Sequence, residues 1–326
     1  MPLFPSLLVG RPIGRTIALA ALVASVAISP ACAAEKLRVG TPEAAGFNFA
    51  MLDAGVELGF FKKYDLDIER IDLGGGAKLH QAMTAGALDM AIGGGTDLQF
   101  LAKGSPEKCV AAMGKSPANL AVSVRADSAF TTIGDLKGKK IGVSTVGSLT
   151  SWLAMEASRH EGWGPNGMVI VPLGGMTSNL AALTAGTIDA ISGSLELGYV
   201  VQAEGKVRIL LKGGDFVHDF VASVIYASDA TIAERPDAVR RFLKAWFESV
   251  QYLHDHKPET VRLMAKIMAM PPAITANIYD DEMPSFSLDG RIDHRALGVV
   301  KQALVDFGLI ERMPDDYALL NETFLP

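Results

Sequence analysis

Residues 73–98 read LGGGAKLHQAMTAGALDMAIGGGTDL, and residues 173–197 read LGGMTSNLAALTAGTIDAISGSLEL. Thr84-Ala85-Gly86 returns as Thr184-Ala185-Gly186, and Asp89 returns as Asp189, at an offset of 100 residues. In each copy a glycine loop opens a run with helical spacing, a glycine stops it, and a short apolar strand leads into a second glycine- or serine-rich loop. Upstream, EKLRVGT from Glu35 matches KKIGVST from Lys139 at an offset of 104. The two matches agree in order, so each half is expected to build one β-α-β-α-β unit, near 36–95 and 139–195. The fold class is α/β, with two lobes of like architecture. Chance likeness of two βα units is the plainer alternative.

Working outward, two β-rich stretches flank the second copy, NLAVSVRADSAFTTIGDLKG at 119–138 and HDFVASVIYASDATIAERPDAV at 218–239. They are the expected crossovers. The first lobe then comprises 35–122 and 223–326, and the second 123–222. Helices are expected over Pro236–Tyr252, Glu259–Met268 and Arg295–Phe307, with Pro271-Pro272 as a break. The remaining C-terminal residues are expected to pack back on the first lobe.

The chain has 326 residues. Arg11 and Arg15 precede the uncharged run IALAALVASVAI, from Ile17 to Ile28, and the small residues Ala31-Cys32-Ala33-Ala34 follow. This order predicts a signal peptide over 1–34 and an exported, periplasmic protein. A membrane anchor or a lipoprotein through Cys32 are the alternatives. Removing that segment leaves 28 Lys and Arg against 36 Asp and Glu. The acidic balance disfavours nucleic acid or an anionic membrane as partner. Cys109 is then the one cysteine, so no intrachain disulfide is available.

In open parallel sheets, ligands bind outside the carboxyl ends of the strands. The loops expected there are 41–46, 74–76, 93–96, 144–150, 174–178 and 192–194, rich in Gly, Ser and Thr. Taken singly, each is also an ordinary tight turn with a helix cap. Taken together, two such sets facing one cleft make a clamp for a small polar or anionic molecule. No G-x-x-x-x-G-K-[ST] or G-x-G-x-x-G motif accompanies them, so no nucleotide cofactor is expected. No H-E-x-x-H is present, and His254-Asp255-His256 reads as a solvated loop rather than a metal site. His80, one turn after the 74–76 loop, either faces the cleft or lies on the helix surface. Cys109 sits in the apolar run KCVAAM and reads as buried packing. Trp152 reads as packing or as a stacking surface for ligand, and Phe47 or Phe49 as an apolar wall. No catalytic residue is assigned.

The stretches GFFKKYDLDIERI at 59–71, LGGGAKLHQAMTAGALDMAIGG at 73–94, IGDLKGKKIGVSTVGS at 133–148, LTAGTIDAISG at 183–193 and FSLDGRIDHRAL at 286–297 resemble periplasmic substrate-binding proteins of ABC importers, in the nitrate, sulfonate and taurine group. The resemblance implies the type II periplasmic-binding-protein fold: two Rossmann-like lobes, a two-strand hinge, and closure on one solute. It implies a monomeric receptor that delivers its cargo to an inner-membrane ABC permease. Matched by position, it implies ligand contacts from Ala44, Ala45, Gly75, Thr96, Met113, Ser144, Gly147, Ser148 and Glu196, to which the loop argument adds His80. No arginine lies in these loops, with Lys78 and Lys115 as substitutes. The cysteine-rich signature of relatives that handle thiamine-pyrimidine precursors is absent. The expected solute is a small organic anion, with an alkyl sulfonate such as taurine ahead of nitrate. An enzyme on the same fold, a hydrolase or desulfinase, is the alternative function.

Overall fold

The computed structural model describes residues 34–43 and 46–326. The predicted signal segment up to Ala33, and Ala44 and Ala45, lie outside the described residues. Among the described residues, ten strands form two five-stranded sheets. The first takes β1 (Glu35–Thr41), β2 (Leu66–Asp72), β3 (Met90–Gly94) and β4 (Glu107–Gly114), together with β10 (Ser223–Ser228), in the order β2-β1-β3-β10-β4. The second takes β5 (Leu120–Arg125), β6 (Lys140–Val143), β7 (Val169–Pro172), β8 (Ala190–Ser194) and β9 (Val207–Lys212), in the order β7-β6-β8-β5-β9. The layouts correspond strand for strand. In each, three parallel strands are joined to a fourth by an antiparallel insert, which is β10 in the first sheet and β5 in the second. These sheets are mixed, where the βαβ pattern predicts parallel pairing throughout.

The repeated Thr-Ala-Gly…Asp has a local physical job, and it is the same in both sheets. The helices Gly76–Thr84 and Met176–Thr184 end at Gly86 and Gly186, with φ of 70° and 71°, a left-handed geometry that is cheap only for glycine. Thr84 and Thr184 each donate a hydroxyl to the carbonyl four residues back, at 2.8 Å. Asp89 then accepts the Arg38 N–H at 2.8 Å, and Asp189 accepts the Lys140 N–H at 2.9 Å. Each aspartate clips the start of a short strand to the first strand of its sheet. The motif therefore stops a helix and sets a strand register.

The chain passes from the first sheet to the second over residues 115–119 and returns over 213–222. The sequence reading placed the first crossover near Val122, but β5 is paired in the second sheet from Leu120 onward. The two crossings run side by side, with Phe220 N–H donating to Lys115 O and Ala222 N–H to Gly114 O.

After β10 the chain is helical. The helix Pro236–Asp255 buries Val239, Phe242, Leu243, Trp246 and Val250 on one face, against Phe61 and the core of the first sheet. Lys257–Ile267 and His294–Asp306 fall where expected. A further helix, Pro272–Glu282, stands where the sequence reading saw only a proline break. Proline at the first helical position loses no hydrogen bond, because that N–H has no intrahelical partner. The helix His294–Asp306 also departs from expectation. Its apolar face, with Ala296, Leu297, Val300 and Ala303, packs into the cluster that holds Trp152, Leu153 and Ala157 of the second lobe. Asp306 pairs with Arg159 at 2.7 Å. The C-terminal segment thus joins the lobes rather than resting on the first alone.

Candidate functional site

The loops at the carboxyl ends of the two sheets meet at Glu196. Ser194 caps the helix Leu195–Ala203, accepting from Leu197 N–H at 3.1 Å, and donates its hydroxyl to Glu196 Oε2 at 2.7 Å. So held, Glu196 is 3% exposed, and its Oε1 accepts the N–H of Phe47 at 3.0 Å. Phe47 opens the helix Phe47–Glu57, whose flanking Gly46 has no side chain to cap it. A carboxylate of the second lobe therefore serves an orphan N–H and the positive dipole end of a first-lobe helix.

Two further carboxyls lie near Glu196. Glu43, in the loop after β1, is open to water yet crowded by protein. That loss of hydration raises its pKa, and the Glu196 charge raises it further. Glu282, the last residue of the helix Pro272–Glu282, is 1% exposed and lies within hydrogen-bond reach of the Glu196 carboxylate. Burial pushes its pKa far up, and the Glu196 charge, a side-chain hydrogen bond to Glu196 and the Asp281 charge push it in the same direction. Beside it, Asp281 accepts both Lys212 Nζ, at 2.8 and 2.9 Å, and the Tyr199 hydroxyl. These bonds tie the helix to the second lobe. Sequence reasoning missed Glu43 and Glu282. The signal available was Pro-Pro as a helix start, followed by the acidic run Asp280-Asp281-Glu282 that begins eight residues after Pro272.

The other predicted residues are distributed unevenly. Gly75 flanks the helix Gly76–Thr84 and has open space on its side-chain side. Ser144, Ser148 and Thr150 form a hydroxyl trio, with Thr150 Oγ1 at 3.0 Å from Ser144 Oγ and 2.8 Å from Ser148 Oγ. Ser148 also caps the helix Leu149–His160. Gly147 is backed by Leu309. Thr96 is 3% exposed, in the turn after β3. That turn meets the returning crossover closely: Gly95 N–H donates to Ala222 O at 2.9 Å, and a Cβ on Gly95 would fall 1.8 Å from Val221 O. Met113 is 1% exposed and packs in the core of the first sheet rather than lining a cleft.

His80 does not face the cleft or the helix surface. It is 2% exposed, stacked on Phe100 and edge-on to Tyr226. Nδ1 lies 2.9 Å from Glu107 Oε1, and Nε2 lies 3.5 Å from Asp97 Oδ2. Burial alone would lower its pKa, but Asp97 and Glu107 outweigh it and hold it at about 9. Asp97 in turn accepts Gly94 N–H at 3.0 Å. The imidazolium braces the turn after β3 from behind. Trp152 is buried and stacked on Phe220, with ring centroids 4.1 Å apart. Phe47 and Phe49 are buried in the core. Cys109 is buried in β4, and burial pushes its thiol pKa far up, which suppresses the reactive thiolate. Among the described residues, no group of three or more His, Cys, Asp or Glu is placed to hold a metal ion. No described helix is long and apolar enough to cross a membrane.

Residues 46–260 match the family described as NMT1/THI5 like. The chain belongs to that family. A 4-amino-5-hydroxymethyl-2-methylpyrimidine phosphate synthase of Candida albicans is 27% identical over 231 residues, 67% of this chain. The chain spans 66% of that relative's length. The alkanesulfonate-binding protein SsuA from Xanthomonas axonopodis pv. citri, solved bound to MOPS, shares the fold with a TM-score of 0.73 at 18% identity, over 87% of this chain and 97% of that one. The desulfurization enzyme DszB shares it with a TM-score of 0.63 at 17% identity, over 89% of this chain and 97% of that one. The architecture is the type II periplasmic-binding-protein fold, two mixed sheets flanked by helices.

Proposed function

We propose that this protein is the extracytoplasmic solute receptor of an ABC importer, that it closes on a small organic anion such as an alkyl sulfonate, and that it delivers the solute to an inner-membrane permease. The observation that carries the reading is the bond from Phe47 N–H to Glu196 Oε1. It joins loop regions of the two lobes directly, as a two-lobed clamp requires. Family membership and the fold shared with a sulfonate-binding protein support it. Helix starts at Gly76 and Leu149, with the hydroxyls of Ser144, Ser148 and Thr150, supply donors for an anionic group. The N-terminal sequence supports a periplasmic site of action, and the protein acts as a monomer. A binding role fits the inert setting of Cys109, which is buried in a strand, with Ala111 O as its hydrogen-bond partner.

A ligand moves the open–closed balance only through tighter binding to the closed form. The test is a thermal-shift panel of sulfonates, carboxylates, nitrate and pyrimidines, with small-angle scattering on each stabilising compound. Compaction with a sulfonate, and its recovery unchanged by mass spectrometry, is the expected result. A tightly bound solute that produces no compaction overturns the clamp. Sustained turnover of the solute overturns the receptor.

A further inference from the structure

Behind the glycine turn that follows β3, a buried imidazole sits between two carboxylates. His80, on the helix Gly76–Thr84, is 2% exposed, and Glu107, on β4, is 1% exposed. Nδ1 lies 2.9 Å from Glu107 Oε1, and Nε2 lies 3.5 Å from Asp97 Oδ2. Phe100 stacks on the ring and Tyr226 meets it edge-on. The Tyr226 hydroxyl donates to Gly94 O at 2.8 Å, and burial pushes its pKa far up, so the phenol stays neutral. The groups facing His80 are therefore Asp97 from the turn, Glu107 from β4 and an uncharged Tyr226 from β10. Asp97 connects this network to the loop face of the sheet. Its Oδ2 accepts the Gly94 N–H at 3.0 Å, and a Cβ on Gly76 would fall 2.8 Å from its Oδ1. The carboxylate thus lies against the first residue of the helix Gly76–Thr84. The free N–H groups and positive dipole end of a helix start attract anions. An uncompensated carboxylate at that place repels an anionic solute and competes with it for the same donors.

We propose that His80 is a positioning residue that sets the anion preference of the solute site: its imidazolium balances Asp97 and keeps that carboxylate on the Gly94 N–H, leaving the start of the helix Gly76–Thr84 free for an anionic group of the solute. The proposal rests on the receptor reading and deepens it, by naming a residue that acts on the solute from behind the turn without touching it. Burial lowers the His80 pKa, but Asp97 and Glu107 outweigh it and hold the value at about 9. The positive charge is therefore present at neutral pH and is lost as pH rises through that value. Once it is lost, Asp97 and Glu107 stand unbalanced behind the turn, and Asp97 becomes an internal rival of the solute for the helix start.

The test is isothermal titration calorimetry on the mature chain with ethanesulfonate, isethionate and nitrate, from about pH 7 to about pH 10. These probes stay ionised throughout, so any pH dependence belongs to the protein. The expected result is at least about fivefold weaker binding at the alkaline end, the effect of removing one nearby positive charge from a partly desolvated site. His80→Gln should bind weakly already at neutral pH and show a flat profile. The double variant His80→Gln with Asp97→Asn removes both charges and should regain affinity over His80→Gln alone. A role limited to propping the turn predicts the reverse, a further loss, since two braces are then gone. The solute-free wild type supplies a measurement that needs no variant: the Gly94 amide resonance should move with a midpoint at about pH 9. Anion affinity that is constant across the range, or a Gly94 resonance that does not move, overturns the proposal and leaves the receptor standing. A double variant that binds more weakly than His80→Gln also overturns it. No binding of any of the three anions at neutral pH overturns the anion receptor and the role of His80 together.

Discussion

If the repeated aspartates clip strands into register, removing them should cost stability unequally, and the structure sets the order. Asp89 is 5% exposed at its side chain and accepts the Arg38 N–H at 2.8 Å, Arg38 Nε at 3.2 Å and Arg38 Nη2 at 2.7 Å, together with Arg235 Nη2. Asp189 is half-buried and accepts the Lys140 N–H alone among the described contacts. A hydrogen bond to a charged group contributes about 1.5–3 kcal/mol net when buried. The bonds around Asp89 are not additive, since both arginines are partly exposed and rehydrate when it is removed. Asp89→Ala is therefore expected to cost about 3 kcal/mol, and Asp189→Ala about 1 kcal/mol, its single bond lying near solvent. Urea unfolding at pH 7, followed by circular dichroism, measures both. The pH dependence sharpens the test. Burial would raise the Asp89 pKa, but Arg38 and Arg235 outweigh that and hold it below its ordinary value. A depressed carboxylate gives stability that is present above its unfolded pKa, about 3.9, and lost as pH falls through the native value. The gap between wild type and Asp89→Ala should then narrow below about pH 4. Equal losses for the two variants, or a gap independent of pH, would refute the register-clip account.

His80 makes the opposite pH prediction. Its native pKa of about 9 lies above the unfolded value, so its stabilisation is complete below about pH 6.5 and disappears as pH rises through 9. The urea midpoint of the wild type should fall across that window, and the midpoint of His80→Gln should not. Trp152→Ala removes a fully buried ring from its stack on Phe220, at the returning crossover, and should cost about 3–5 kcal/mol. A melting temperature within a degree or two of wild type would show that the stack does not bind the lobes together.

The two-lobed α/β plan was legible because its signals are local. Helix stops at Gly86 and Gly186 and the clips at Asp89 and Asp189 use residues close in sequence, and the same chemistry appears twice. Pairing was less legible. The apolar runs of β5 and β10 read as strands, but nothing local says that each inserts antiparallel between two others. Glu196 was singled out through a resemblance, and its carboxylate accepts the Phe47 N–H across the two sheets' loops. Glu43 and Glu282 lie far from Glu196 in sequence, and no periodicity reports that each is affected by its charge. Helical spacing placed His80 on a helix, but could not tell that Asp97 and Glu107 would make its buried face the polar one.

The strand order also fixes a timetable. β3 and β4 never touch as neighbours, because β10 lies between them, and β10 follows the entire second sheet in the chain. Residues 120–212 contain every strand of that sheet, so it can assemble as soon as they emerge. The first sheet must wait. Until Ser223–Ser228 arrives, MAIGG and the apolar β4 each present a bare edge, the kind of surface on which chains aggregate. Pairings this distant in sequence form slowly. A chain held unfolded until it is complete escapes the hazard, whereas a product cut short before residue 223 retains both sticky edges permanently.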